Sequence, residues 1–129
     1  MTPRRRSIEI DGVRHNAPIP MGARIDNIVF SSAIQGMDPS TGIVPDDGIE
    51  QVRFAFMNLE SFLKAAGVTY DDIVRLTVHL EDPSLRDEIN RYWLELYPDE
   101  QDRPARHALN VTLNNNMLVQ LEVFAIAAP

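Results

Sequence analysis

The chain has 129 residues, 44% of them hydrophobic and 24% charged, enough for one ordinary domain with a real core and too few for two. Its formal net charge of -7 disfavours a nucleic-acid partner, and the absence of cysteine removes disulfides, thiolate nucleophiles and thiolate metal sites together. No apolar run is long enough to cross a membrane, and no apolar stretch follows the arginines of "MTPRRRSIEI", so a cytoplasmic location is expected.

In chain order, Arg4, Arg5 and Arg6 read as a basic, flexible tail over residues 1–6. "SIEIDGVRH" alternates around Asp11-Gly12, a hairpin signal. "APIPMGARID" is a Pro/Gly-rich connection, and "NIVFSSAIQG" is rich in β-branched and aromatic residues and predicts a strand. The turn-rich "MDPSTGIVPDDG" follows. Ile49, Val52, Phe56, Leu59, Phe62, Leu63 and Ala66 then recur at helical spacing, closed by Gly67.

"DIVRLTVHL" alternates, with Val74, Leu76, Val78 and Leu80 on one face and Arg75, Thr77 and His79 on the other. Ser84 resembles an N-cap before an acidic first turn, and Leu85, Ile89, Tyr92, Trp93 and Leu96 predict a second helix ending before Pro98. Two strands close the chain, over about 106–113 and 117–126. The order β-β-β-α-β-α-β-β predicts a single α+β domain over 1–129, a mixed sheet with two helices on one face.

Asn114, Asn115 and Asn116 look like the loop of a closing hairpin. That register pairs Ala108 with Glu122 and Arg106 with Phe124. It turns His107, Leu109, Val111, Leu113, Met117, Val119, Leu121 and Val123 toward the helices. Arg106 and Glu122 become diagonal neighbours on the other, mixed face, roughly 5–8 Å apart at Cβ. The plain reading is a surface ion pair, worth under about 1 kcal/mol. The functional reading is a site in which Arg106 grips a carboxylate by its two-pronged donor set and Glu122 positions or activates a water. A face carrying Leu118 and Phe124 needs a cover that one chain does not supply, which suggests an oligomer.

Other candidates are weaker. Lys64, the single lysine, falls on a helix surface, where Schiff-base chemistry has no support. His15, His79 and His107 lie in no metal-binding spacing, so no metal is expected.

"PARHALNV" followed by "VQLEVFAIA" resembles the C-terminal signature of the RidA/YjgF family of enamine/imine deaminases. "DPSTG", "LKAAGV", "DDIVRLTVHLED" and "INRYW" stand in matching order, so the resemblance runs from "NIVFSSA" to the end of the chain. It implies a chorismate-mutase-like fold and a homotrimer with clefts between subunits. It also implies hydrolysis of 2-aminoacrylate or 2-iminopropanoate to a 2-keto acid and ammonia, with no cofactor. Arg106 matches the arginine that binds the substrate carboxylate and Glu122 the glutamate that orients water. Ser32 and Ala33 match the strand end lining the cleft. Asn90 matches an asparagine recurrent in the second helix, read here as capping or packing. The chain departs from the pattern at Ile19, where a tyrosine is usual, at Ala108, where a cysteine is, and at His107, where a small residue is. These departures keep open a larger conjugated substrate of the 2-aminomuconate type and a non-catalytic trimeric binder. Ribonuclease activity, attached to the older family name, is opposed by the acidic balance and the lack of a basic-aromatic patch.

Overall fold

The computed structural model describes residues 3–129. Its strands are β1 (Arg5–Ile8), β2 (Gly22–Ile25), β3 (Ile28–Ser31), β4 (Ile34–Gln35), β5 (Ile73–Leu80), β6 (Ala105–Asn110) and β7 (Val119–Ile126). Its helices are α1 (Gly48–Ala66) and α2 (Arg86–Leu96). All strands join one sheet in the order β1-β2-β3-β7-β5-β6, with β4 also paired to β7. The α+β class and the two helices on a mixed sheet are as the sequence predicts. The predicted third strand is divided in two at Ser32-Ala33.

The helices form where capping and periodicity agree. Asp47 accepts a hydrogen bond from the Ile49 amide at 2.9 Å, and Gly67 closes α1 at φ 78°, a left-handed angle that costs glycine nothing. Val52, Phe56, Leu59, Phe62, Leu63 and Ala66 are buried against the sheet. Ile49, counted among them by periodicity, is 49% exposed. Gly36 lets the chain pass under α1, since a Cβ there would lie 2.3 Å from the Gln51 carbonyl oxygen. Before α2 the cap is Asp82, not Ser84. The Asp82 carboxylate accepts from the Ser84 amide at 3.0 Å and the Ser84 hydroxyl at 2.6 Å, closing a short turn ahead of the helix.

The N-terminal arginines are tied down further than a flexible tail implies. Arg5 and Arg6 belong to β1, while residues 1 and 2 lie outside the described residues. Arg6 donates to the Ala65 carbonyl and Arg24 to the Ala66 carbonyl at 2.8 Å, so two cations serve the negative end of α1. Arg24→Ala is expected to lower stability by about 1 kcal/mol, read as a lower midpoint of urea unfolding with unchanged slope. An unchanged midpoint would show that these contacts contribute nothing. Asp11-Gly12 does turn, with Gly12 at φ 80° and a bridge from Ile10 to Val13, but β1 takes β2 as its partner.

The topology overturns the expected closing hairpin. β5 lies between β6 and β7, parallel to the first and antiparallel to the second. α2 is the crossover joining the parallel pair, as such pairs require. β5 contributes Ile73, Leu76, Val78 and Leu80 to the core, and it takes the interior position. β6, carrying Arg106 and Asn110, is left at the edge. Asn115 and Asn116 adopt positive φ as expected, 58° and 66°, but their turn carries the chain over the end of β5, where the Glu81 backbone amide donates to the Leu118 carbonyl.

This reassigns faces. For β7 the expectation holds, with Val119, Leu121 and Val123 buried. For β6 it inverts. Arg106 pairs with Leu76 and Ala108 with Val78, both buried positions, so these face the helices, while His107 and Leu109 face away. His107 is therefore exposed rather than a core residue. A register shift between Ile73 and Arg75 similarly puts Ile73 in the core and leaves Val74 47% exposed, although alternation placed Val74 inside.

Candidate active site

Arg106 stands on the edge strand and reaches back under α2. Its Nη2 donates to Asn90 Oδ1 at 2.6 Å, and its guanidinium carbon lies 5.1 Å from the centre of the Trp93 ring. Asn90 and Trp93, one helical turn apart, form one surface of α2, so a hydrogen bond and a cation–π contact hold one guanidinium orientation. Among the described residues no carboxylate lies within ion-pair distance of Arg106. Burial, and secondarily the Arg86 guanidinium, hold Arg106 below the usual arginine range, though it stays charged at neutral pH. The arrangement favours an incoming anion. Ala108, two residues on, faces the same side and offers only a methyl group.

Glu122 lies elsewhere. It pairs with Thr77 on the sheet face away from the helices, whereas Arg106 is in register with Leu76 and Val123 on the helix face. β5 separates their strands, so the two backbones are on the order of 10 Å apart. The expected diagonal contact is thus absent, for the same reason as the hairpin.

The structure does bring Ser32 and Ala33 to Glu122. Phe30 pairs with Phe124 and Ile34 with Leu121, so the break between β3 and β4 falls opposite Glu122. The Val123 amide donates to the buried Ser31 hydroxyl at 2.9 Å and the Ser32 amide to the Met21 carbonyl at 2.8 Å, which fixes the break. Ile19 sits half exposed in the connection between β1 and β2. Lys64 is on the α1 surface, 3.8 Å from Glu60.

The open sheet face is partly apolar. Ile28, Phe30 and Ile126 are 43%, 47% and 41% exposed, and Phe30 meets Phe124 at 4.3 Å between ring centres. Together with Phe124 they form a contiguous apolar patch on that face. From sequence Asn90 reads as a capping or packing residue, and Trp93 only as one of the apolar residues that mark α2. Their role toward Arg106 depends on where β6 lands against α2, and no local pattern reports that.

Two helices on one face of a mixed sheet, with an oriented guanidinium at its edge, define a small α+β protein with an anion-receptive margin. The family model described as Endoribonuclease L-PSP matches residues 16–128, and the chain belongs to that family, which is the RidA/YjgF family of the sequence resemblance. It is 32% identical over 117 residues to a RutC family protein of Pyrococcus horikoshii, covering 85% of this chain and 91% of that one. It is 31% identical over 114 residues to the 2-iminobutanoate/2-iminopropanoate deaminase of Mus musculus, covering 87% and 83%. The crystal structure of E. coli TdcF with bound serine superposes with a TM-score of 0.84 at 25% identity, covering 95% of this chain and 99% of that one.

Proposed function

We propose that this chain hydrolyses small 2-imino and 2-enamino carboxylates to 2-keto acids and ammonia, in sites shared between copies of a homotrimer. The observation that carries the proposal is Arg106, oriented by Asn90 and Trp93 and without an opposing carboxylate among the described residues. The deaminase name of the mouse relative supports the reaction class.

The site splits into two halves. Arg106 and Ala108 face the helix side at the sheet edge, and Glu122, Ser32 and Ala33 face the open side. One short substrate cannot touch both halves of one chain. A second copy laid on the open face covers its exposed apolar residues and brings an Arg106 to the first copy's Glu122. Arg106 then fixes the substrate carboxylate by a bidentate ion pair. Glu122 takes a proton from the water that attacks the imine carbon. The tetrahedral adduct collapses to the keto acid as ammonia departs. The cytoplasmic location read from the sequence belongs to the same proposal.

The test is keto-acid formation from 2-iminopropanoate generated in situ, against the spontaneous rate, with sedimentation equilibrium on the same sample. Acceleration by a species about three times the 14.6-kDa chain mass is expected. A monomer that accelerates the reaction would sink the shared site. A trimer without acceleration would sink the small-substrate reading and move the assay to 2-aminomuconate, for which Ala108 and Ile19 leave room.

A further inference from the structure

His107 belongs to the same polar strip as Glu122. Thr77 on β5 pairs with His107 on one side and with Glu122 on the other, so all three point away from the helices in one row. Ser32 and Ala33 adjoin the row at its Glu122 end. His107 is exposed, Glu122 half-buried and Thr77 buried between them as a floor. Neither His107 nor Glu122 has a side-chain hydrogen-bond partner among the described residues. Their strands are on the order of 10 Å apart, a gap that two side chains reaching toward each other leave open for a short-chain substrate. The other charged or titratable groups of β5 on this face are Arg75 and His79, on either side of Thr77.

Glu122 as a base accounts for only half of the proton traffic. The departing nitrogen also needs a proton, and imidazole is the side chain that ordinarily changes charge between pH 5 and 8. We propose that His107 is a further catalytic residue, the acid that protonates the leaving amine. The inference rests on the imine-hydrolysis reading above.

The step balances as follows. Water adds its oxygen to the carbon of the protonated imine, and the π pair moves to nitrogen. Glu122 takes one proton from that water, leaving a neutral carbinolamine. The His107 imidazolium gives its proton to the amino group. The C–N bond breaks with its pair on nitrogen, and the hydroxyl oxygen forms the carbonyl. The hydroxyl proton returns to His107, and Glu122 releases its proton to solvent. The products are keto acid, ammonia and one proton.

The experiment compares wild type, His107→Gln, His107→Ala and Arg106→Ala on 2-iminopropanoate from about pH 5.5 to 8.5. Circular dichroism and sedimentation establish that each variant is folded and assembled as wild type. His107→Gln is expected to lose on the order of 10²-fold in kcat with little change in KM. The fall in wild-type acceleration as pH rises should flatten in both His107 variants, and added imidazole should restore activity to His107→Ala. Arg106-dependent acceleration that keeps its kcat and pH profile in both His107 variants would overturn the assignment and leave the reaction intact. A loss in kcat without a changed pH profile or imidazole rescue would assign His107 a structural role and also overturn it. Wild-type protein that gives no acceleration at all would remove the reaction reading, and this proposal with it.

Discussion

Arg106→Ala is expected to bring imine hydrolysis down to the spontaneous rate or close to it. Truncating one member of a hydrogen-bonded charge pair costs about 2–5 kcal/mol, which is about 30-fold to several thousand-fold in kcat/KM. Arg106→Lys should recover little, because an ammonium keeps the charge and loses the planar fork that meets both carboxylate oxygens. Asn90→Ala should fall between. It removes the 2.6 Å hydrogen bond that sets the guanidinium plane and leaves the charge in place. A hydrogen bond to a charged group is worth roughly 1.5–3 kcal/mol, and the loss should show mainly as a raised KM. The measurement is keto-acid release with each variant at several substrate concentrations. Acceleration that survives Arg106→Ala unaltered would mean that Arg106 is not the carboxylate receptor.

Gln51→Leu is expected to lower stability substantially although it replaces one buried side chain by another of similar size. Gln51 is fully buried on α1, and its amide serves three backbone groups. Nε2 donates to the Pro45 carbonyl at 2.8 Å and the Asn116 carbonyl at 3.0 Å, while Oε1 accepts from the Leu118 amide at 2.8 Å. It thereby ties the entry to α1 to the turn before β7. Leucine fills a similar volume and leaves those backbone groups without a partner. The three hydrogen bonds are part-buried, and losing each costs about 1 kcal/mol, so a total of about 3 kcal/mol is expected, and a melting temperature lower by on the order of 10 °C. Thermal unfolding followed by circular dichroism reads this directly. A shift of only a degree or two would show that water reaches these groups and replaces the side chain.

Much of the fold could be read along the chain because its signals are local. α1 is written in the spacing of Val52 to Ala66 and ended by Gly67, and α2 in Leu85 to Leu96. β7 alternates so strictly that its buried face was legible residue by residue. The α+β class follows from such elements in order. Arg106 and Glu122 could be picked out as candidates because strand positions seldom hold such charges without a partner, and the resemblance sharpened both.

Pairing was not legible, because it depends on which strand competes best for the sheet interior. Asn115 and Asn116 turn as asparagines favour, but a turn does not choose the neighbour of the strand leaving it. β5, apolar enough to be central, takes the place between β6 and β7, and α2 sets β6 parallel to it. The side-chain period in a strand is two, so this change of partner turned Arg106 toward the helices and His107 to the open face. Chain order and residue chemistry therefore determined the elements, the class and the charged candidates. The tertiary structure decided which side of the sheet each candidate occupies, since a face is a property of strand partners that lie tens of residues apart.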